Sequence, residues 1–240
     1  MDEEQRRDVL RRAEDDVRRA GREFGWDSSE ACALRQRQLG LERSTAAELG
    51  LPYAERVRLG VSWDADTPMP VLLSGLRTFV AFHQGAGVWA DHGIAIVEFK
   101  RVASIKIGSP SHEVLRRHTL FGSGLEIHSA HEVRNSPWIT ELTELNRGYE
   151  RFDERIWRGK RHFVLTFHDA TLECVANRTI IRTAPGGTMP EVLAGLGAEA
   201  LRRGGGLADR SGRFTSFRLS VTGAPSARWP QLRNGADDRR

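Results

Sequence analysis

Six of the eight histidines lie between residues 112 and 168, and this concentration is the feature of the sequence that most suggests chemistry. Imidazole titrates near neutral pH and is also a common protein ligand for metal ions. Four of the six fall in an irregular, polar stretch at 108–135, and the other two lie in or beside an alternating run at Phe167–Cys174. If these histidines have a chemical role, acid–base catalysis is favoured over metal binding; a purely structural role is the other alternative.

Residues 162–177 have the alternation of apolar and polar side chains that is typical of a β-hairpin. With Asp169-Ala170 as a two-residue turn, Phe167 would face Leu172 and the cross-strand pairs would continue in that register. One face is then apolar and holds Phe163, Leu165, Phe167, Leu172 and Cys174. The other face holds His162, Thr166, His168 and Glu173. A slip of one residue would exchange the two faces.

In this register His168 and Glu173 are diagonal neighbours, about 7–8 Å apart at the backbone, and their side chains can close that gap. His168 is thus predicted as a general base and Glu173 as the carboxylate that orients it, with His131 as a further catalytic residue. The residues predicted to line the binding site are His118, His128, Glu132, Trp138 and Thr166. The simpler interpretation is that these polar residues lie on a solvated strand surface.

No cofactor or resident metal is predicted. The alternative is a divalent metal held by His128, His131 and His168. His-x-x-His places both rings on one side only in a helix, whereas the preceding Gly122 and Gly124 indicate a loop. The chain also has no Gly-x-Gly-x-x-Gly, Gly-x-x-x-x-Gly-Lys, His-Glu-x-x-His, Gly-x-Ser-x-Gly or Cys-x-x-Cys motif, so common nucleotide-binding, zinc-protease and hydrolase classes are unsupported.

The pattern of elements predicts an α+β fold with a mostly antiparallel sheet of five to seven strands and two helices packed on it. Helices are expected over 3–24 and 28–50 and from Ser136 and Thr188, where capping residues precede apolar stripes. Besides the hairpin, strands are expected at 71–73, 77–83, 94–99, 102–107 and 179–183. The predicted units are a helical N-terminal extension (1–54), a core domain (55–203) and a basic segment (204–240) with an edge strand at 213–221 and a disordered tail.

Charge is unevenly distributed along the chain. Residues 202–240 hold nine arginines and three aspartates, whereas the whole chain has a net charge of +4, so the first 201 residues are slightly acidic. This distribution argues against a nucleic-acid-binding face on the core. No stretch approaches the length of a membrane span and no signal peptide is evident, so a cytoplasmic protein is expected.

Four segments carry a resemblance: Trp63–Pro70, Gly93–Phe99, Asn135–Ile139 and Phe167–Cys174. In these the chain resembles a family of uncharacterised bacterial proteins, with Phe-His-Asp-x-Thr-x-Glu-Cys and the helix start Ser-x-Trp-Ile as the most recognisable parts. The resemblance covers about residues 60–200 and implies no particular activity.

Three functions are open at this point. The first is a small-molecule enzyme, of a bacterial specialised-metabolite pathway, that uses His/Glu acid–base chemistry or a histidine-bound metal. The second is a non-catalytic interaction, immunity or accessory protein, which would bind a protein partner or a second copy through residues 1–50. The third is DNA binding through residues 44–60, where the start of a helix-turn-helix is recognisable but the second helix would be short.

Overall fold

The structure, a computed structural model, describes residues 3–63, 69–85 and 93–202. Its helices are α1 (Glu3–Phe24), α2 (Ser29–Glu48), α3 (Pro137–Asn146), α4 (Glu154–Arg158) and α5 (Met189–Ala200), with a 3₁₀ helix at His112–Arg117. Its strands are β1 (Tyr53–Arg56), β2 (Val71–Ser74), β3 (Thr78–His83), β4 (Ile94–Lys100), β5 (Ser104–Gly108), β6 (Ala130–Arg134), β7 (Arg161–Thr166), β8 (Thr171–Ala176) and β9 (Arg178–Ala184). The α+β class and the N-terminal helices are confirmed, while the predicted edge strand at 213–221 lies outside the described residues.

The strands form two antiparallel sheets instead of one. The five-stranded sheet has the order β1-β6-β7-β8-β5, and the four-stranded sheet has the order β2-β3-β4-β9. The chain changes sheets between β4 and β5, where Arg101 has a left-handed backbone with φ of 54°. As a result β5 pairs with β8, and of the four strands expected between residues 71 and 107 only β2, β3 and β4 lie in one sheet.

The core lies between the inner faces of the two sheets. Phe82, Val97 and Phe99 of the four-stranded sheet pack with Phe163 and Leu165 of the five-stranded sheet in one buried cluster. The Phe99 and Phe163 rings have centroids 6.0 Å apart. Burying each of these large side chains stabilises the fold by about 1.5–3 kcal/mol. The hydrophobic alternation of the strands therefore determines which face of each sheet points inward.

Both sheets are also covered on their outer faces. Leu196 and Ala200 of α5 pack on Phe79 and Ile96 of the four-stranded sheet. On the five-stranded sheet, residues 109–129 form a covering segment whose apolar side chains pack on Val133 and Val164; these side chains are Leu115, Leu120 and Leu125. Several polar residues on this outer face are therefore buried beneath the segment instead of facing water, among them His131, His162 and Thr166.

The β7–β8 hairpin has the predicted faces but a different register. Phe163 pairs with Cys174 and Thr166 with Thr171, a shift of two residues from the predicted pairing. The predicted Asp169-Ala170 turn is wrong, since residues 167–170 form a four-residue loop in which the Phe167 N–H donates to the Ala170 carbonyl at 2.8 Å. A shift of two preserves the side-chain alternation, so the same residues still face the core.

The N-terminal helices are attached to the covering segment. The Glu42 carboxylate of α2 accepts the Gly124 N–H at 3.1 Å, and Gln36 donates to Glu126 at 3.3 Å. The helix-turn-helix predicted at residues 44–60 is wrong, because residues 53–56 form strand β1 and not a second helix. No helix in the described part of the chain is both long and apolar enough to cross a membrane.

Replacing Phe163 with alanine should lower the free energy of unfolding by about 3–5 kcal/mol, because the ring is 2% exposed and fills the space between the sheets. Urea unfolding followed by circular dichroism measures this change. Phe121→Ala is the matched control; that ring is 42% exposed and its loss should change stability by less than about 1 kcal/mol. An equal loss of unfolding free energy in the two variants would contradict a core formed between the two sheets.

Candidate functional site

The Glu173 carboxylate lies at the centre of a buried polar cluster on the outer face of the five-stranded sheet. Its Oε2 atom is 3.0 Å from His162 Nε2, and its Oε1 atom is 2.9 Å from Lys106 Nζ and 3.5 Å from His118 Nε2. The side chains of Glu173, His162 and His118 are 15%, 5% and 7% exposed. A nearly buried carboxylate is thus held by two imidazoles and an ammonium group.

Strand pairing explains three of these positions. Lys106 of β5 is directly opposite Glu173 of β8. Val164 of β7 is opposite Glu173 on the other side, so His162, two residues earlier, is its diagonal neighbour on the same face. His118 follows the 3₁₀ helix of the covering segment and reaches the carboxylate from above the sheet.

Glu173 stays ionised in this environment. Burial by itself would raise its pKa, but hydrogen bonds from His118, His162 and Lys106 outweigh that effect and hold the pKa far below the ordinary value. Each of these donors favours the charged form of the carboxyl group. The carboxylate can therefore stabilise positive charge that develops on either imidazole.

The hydrogen-bonded chain continues from His162 to Ser136. Ser136 Oγ is 2.9 Å from His162 Nδ1. Because the ionised Glu173 can only accept, His162 Nε2 carries the proton and Nδ1 is left to accept the Ser136 hydroxyl proton. We call this chain of side chains the Ser136–His162–Glu173 relay. Its serine–imidazole–carboxylate order is the one used to activate a serine nucleophile.

Ser136 occupies a tight connection between a strand and a helix. It follows β6 after Asn135, whose φ is 52°, and it caps α3 by accepting the Ile139 N–H at 3.3 Å. Trp138 in the first turn of α3 contacts the edge of the His162 ring, with centroids 5.1 Å apart, and Lys106 lies 4.6 Å above the Trp138 ring. The tryptophan thus shields the imidazole from solvent on this side.

A surface pocket of about 460 Å³ opens beside Ser136. Its lining includes Asn135, Ser136 and Ile139, together with the charged residues Glu132, Arg134, Lys160 and Arg161. Glu132 is ion-paired with both arginines. The serine end of the relay therefore faces a cavity, whereas Glu173 at the other end is enclosed by protein.

The predicted pair of His168 and Glu173 does not form. The two-residue change of register gives His162 the diagonal position next to Glu173, and His168 instead lies in the hairpin loop. There its ring centroid is 4.2 Å from that of His112 and 6.4 Å from that of His128. A histidine thus lies beside Glu173 on the predicted face, but it is His162 and not His168.

His131 lies in β6, not in the predicted loop, and is fully buried. Its Nε2 atom accepts the Glu126 N–H at 3.2 Å. Burial, with smaller effects from the positive charges of Arg56 and Arg43, lowers the pKa of His131 to about 3. Since Val164 separates it from Glu173 across the sheet, His131 is not part of the relay.

The residues predicted to bind a ligand fall into separate groups. His118 and Trp138 belong to the cluster around Glu173, and Glu132 lines the pocket. Thr166 is fully buried, where its hydroxyl donates to the Glu126 carbonyl at 2.8 Å and accepts the Ser129 N–H at 3.1 Å. Thr166 therefore holds the covering segment in place instead of facing a ligand.

The residues that the sequence predicts for the site do not include Ser136, His162 or Lys106. The sequence places His162 on the correct face of the hairpin and indicates Ser136 only as a helix cap. The strand-to-helix connection at residues 134–137 is the signal that could have indicated Ser136. A hairpin register shifted by two residues would have placed His162 beside Glu173. Cys174, by contrast, is fully buried, and this burial raises its pKa to about 12, so the nucleophilic thiolate form is disfavoured.

Within residues 3–63, 69–85 and 93–202, no group of three His, Cys, Asp or Glu side chains has the placement of a metal site. The predicted set of His128, His131 and His168 is therefore not assembled. Comparison with family models, curated proteins and solved structures finds no match. The resemblance to a bacterial family thus stays a prediction.

Replacing Glu173 with glutamine should lower the free energy of unfolding by on the order of 2 kcal/mol, because the amide nitrogen would face N–H donors. The folded-state pKa of Glu173 lies below its ordinary value of 4.5, so its contribution is present above that pH and is lost as the pH falls below it. Urea unfolding at a series of pH values should show that the free energy of unfolding falls less at acid pH in the variant than in the wild type. The exposed Glu150→Gln variant is the control and should match the wild type.

Replacing His131 with glutamine should flatten the pH dependence of stability between about pH 6.5 and 3. In that window the unfolded chain binds a proton that the buried imidazole excludes, so acidification destabilises the wild type by up to about 1.4 kcal/mol per pH unit. Denaturant unfolding at several pH values measures the slope. Val133→Ala alters the same face without removing a titrating group, and it should lower stability while keeping the wild-type slope.

Proposed function

We propose that the protein is an enzyme acting on a small molecule by hydrolase-type acyl transfer, with Ser136 as the nucleophile. The single observation that carries the proposal is the relay, in which Ser136 Oγ, His162 and Glu173 are joined at 2.9 and 3.0 Å. Such constellations are recognised by geometry and roles, because they occur on unrelated folds without a shared sequence motif.

Each residue of the relay has a defined part in the proposed reaction. As Ser136 Oγ attacks a carbonyl carbon, its proton moves to His162 Nδ1, and the ionised Glu173 stabilises the resulting imidazolium. His162 then gives that proton to the leaving group as the carbon–heteroatom bond breaks. A water molecule, deprotonated by the same nitrogen, releases the acyl group and restores the serine. Lys106 and His118 act on the carboxylate and thus position the relay.

The pocket favours a substrate with a negatively charged group. Three cationic residues, Arg134, Lys160 and Arg161, line it together with one carboxylate, Glu132. In the first turn of α3 Pro137 has no N–H and the Ile139 N–H is donated to Ser136 Oγ, so the helix contributes its N-terminal dipole, which favours negative charge. A small ester or amide that carries a carboxylate or phosphate fits this distribution.

An interaction function through residues 1–50 is the second candidate. Phe24, the last residue of α1, and Trp26, in the turn before α2, are 55% and 62% exposed, and aromatic residues are enriched at protein interfaces. A protein or second copy bound there would cover these rings. The two candidates make different predictions for Ser136, since a pure interaction protein has no need of a reactive serine.

A fluorophosphonate probe should phosphonylate Ser136 in the wild type, with fluoride as the leaving group and His162 as proton acceptor. Hydrolysis of p-nitrophenyl esters should fall by at least about 100-fold in Ser136→Asn and in His162→Gln. Mass spectrometry locates the label, and absorbance follows the hydrolysis. Asparagine caps helices about as well as serine, so Ser136→Asn should keep a near-wild-type melting temperature and separate capping from catalysis.

Glu141→Gln is the control for this experiment, because Glu141 is exposed on α3 and is not among the residues that line the pocket. It should be labelled and should turn over esters like the wild type. A wild-type protein that is not labelled at Ser136, and that hydrolyses esters no faster than Ser136→Asn, would refute the enzymatic proposal and favour an interaction function.

A further inference from the structure

The two arginines that line the pocket beside Ser136 are neutralised by carboxylates. Arg134 donates to Glu132 at 2.8 Å and to Glu55 at 2.7 Å. Arg161 is ion-paired with the other carboxylate oxygen of Glu132. Two guanidinium groups and two carboxylates thus form a continuous row without net charge. Arg134 and Arg161 therefore face the pocket with their charges already balanced.

Lys160 is the third cation of the pocket, and its surroundings differ from those of the arginines. Its Nζ atom donates to the Arg101 carbonyl oxygen and, at 3.0 Å, to the side-chain oxygen of Asn177. Within the part of the chain that the structure describes, both partners are uncharged groups, so the ammonium is oriented without being neutralised. An ammonium group has three N–H donors, and one of them is left for a ligand.

The electrostatic surroundings of Lys160 agree with this difference. Burial lowers the pKa of Lys160 below its ordinary value, and the positive charge of Arg101 lowers it further. Both effects disfavour the charged ammonium form, and an anion bound beside it would oppose them. An anion at Lys160 therefore relieves an unfavourable charge, whereas an anion at Arg134 or Arg161 would have to compete with existing ion pairs.

The position of Lys160 in the chain places it close to the relay. Lys160 is two residues before His162, so the Cα atoms of the two residues are at most about 7 Å apart. The His162 ring in turn reaches Ser136 Oγ at 2.9 Å. A ligand that contacts both Lys160 and Ser136 is therefore short, with a few bonds between its anionic group and its carbonyl carbon.

We propose that Lys160 is the specificity-determining residue of this pocket and binds a single carboxylate of the substrate. One unbalanced ammonium matches one negative charge, which favours a carboxylate over a phosphate monoester with its charge of about −1.5 to −2. The substrate class is then the half-ester or half-amide of a short dicarboxylic acid, whose other carbonyl carbon is attacked by Ser136. This inference rests on the proposed function for the reaction, whereas binding of the carboxylate can be measured without turnover.

Calorimetric titration of the full chain with succinamate, a monoanion with an amide carbonyl a short chain away from its carboxylate, tests the role of Lys160 directly. The wild type should bind succinamate more tightly than neutral butyramide. Lys160→Met keeps the length of the side chain but removes its charge, and it should weaken succinamate binding by at least about tenfold. Arg158→Gln is the matched control, because it removes the same charge from exposed α4 outside the pocket lining, and it should bind succinamate like the wild type.

Equal binding of succinamate by the wild type and Lys160→Met would overturn the role of Lys160. A wild type that binds succinamate no better than butyramide would overturn it as well, even if the variant does not fold.

Ester hydrolysis separates failure of this inference from failure of the proposed function. After subtraction of the uncatalysed rate, the wild type should hydrolyse p-nitrophenyl hydrogen succinate with a higher kcat/KM than p-nitrophenyl butyrate. Lys160→Met should lower the ratio of these two kcat/KM values by at least about tenfold. An unchanged ratio would overturn the role of Lys160 and leave Ser136 as the nucleophile. Succinamate binding that depends on Lys160, with hydrolysis of neither ester, would refute the reaction and support Lys160 as the carboxylate-binding residue.

Discussion

The buried carboxylate of Glu173 imposes the constraint on which the rest of the site depends. A charge removed from water is stable only when donors replace its hydration, and here these donors come from Lys106, His118 and His162. Lys106 lies on β5, His118 follows the 3₁₀ helix and His162 lies on β7. The ionised Glu173 therefore requires three separate parts of the chain to come together. Because the outer face of the five-stranded sheet is covered, its polar side chains bond to one another instead of to water.

The covering segment connects the site to the N-terminal helices. It shields the outer face of the five-stranded sheet with Leu115, Leu120 and Leu125, while α2 holds it through the bond from Gly124 to Glu42. Gly124 is well suited to this contact, since its φ is 89° and a Cβ atom there would lie 2.6 Å from the Ala54 carbonyl oxygen. The helices expected as a separate extension therefore support the enclosure of Glu173.

The covering segment also connects the surroundings of Glu173 with the hairpin loop. His118 just after the 3₁₀ helix contacts Glu173, and the ring of His112 at its start has its centroid 4.2 Å from that of His168 in the loop. The relay opens into the pocket at Ser136, beyond the other end of β7. A displacement of this short helix would thus affect the contacts of both His112 and His118, since the helix is only six residues long.

The sequence by itself determined the α+β class, most of the elements and the faces of the hairpin, because alternation and capping act over a few neighbouring residues. Only the tertiary structure decided that the strands form two sheets, that residues 130–134 form a strand, and that His162 is the partner of Glu173. Side-chain alternation has a period of two, so registers that differ by two residues bury the same side chains. The choice between them depends on the four-residue loop and on contacts with the covering segment, which lie far away in the sequence. For the same reason Ser136 was recognisable as a helix cap, whereas its bond to His162 required the packing of β6 against β7.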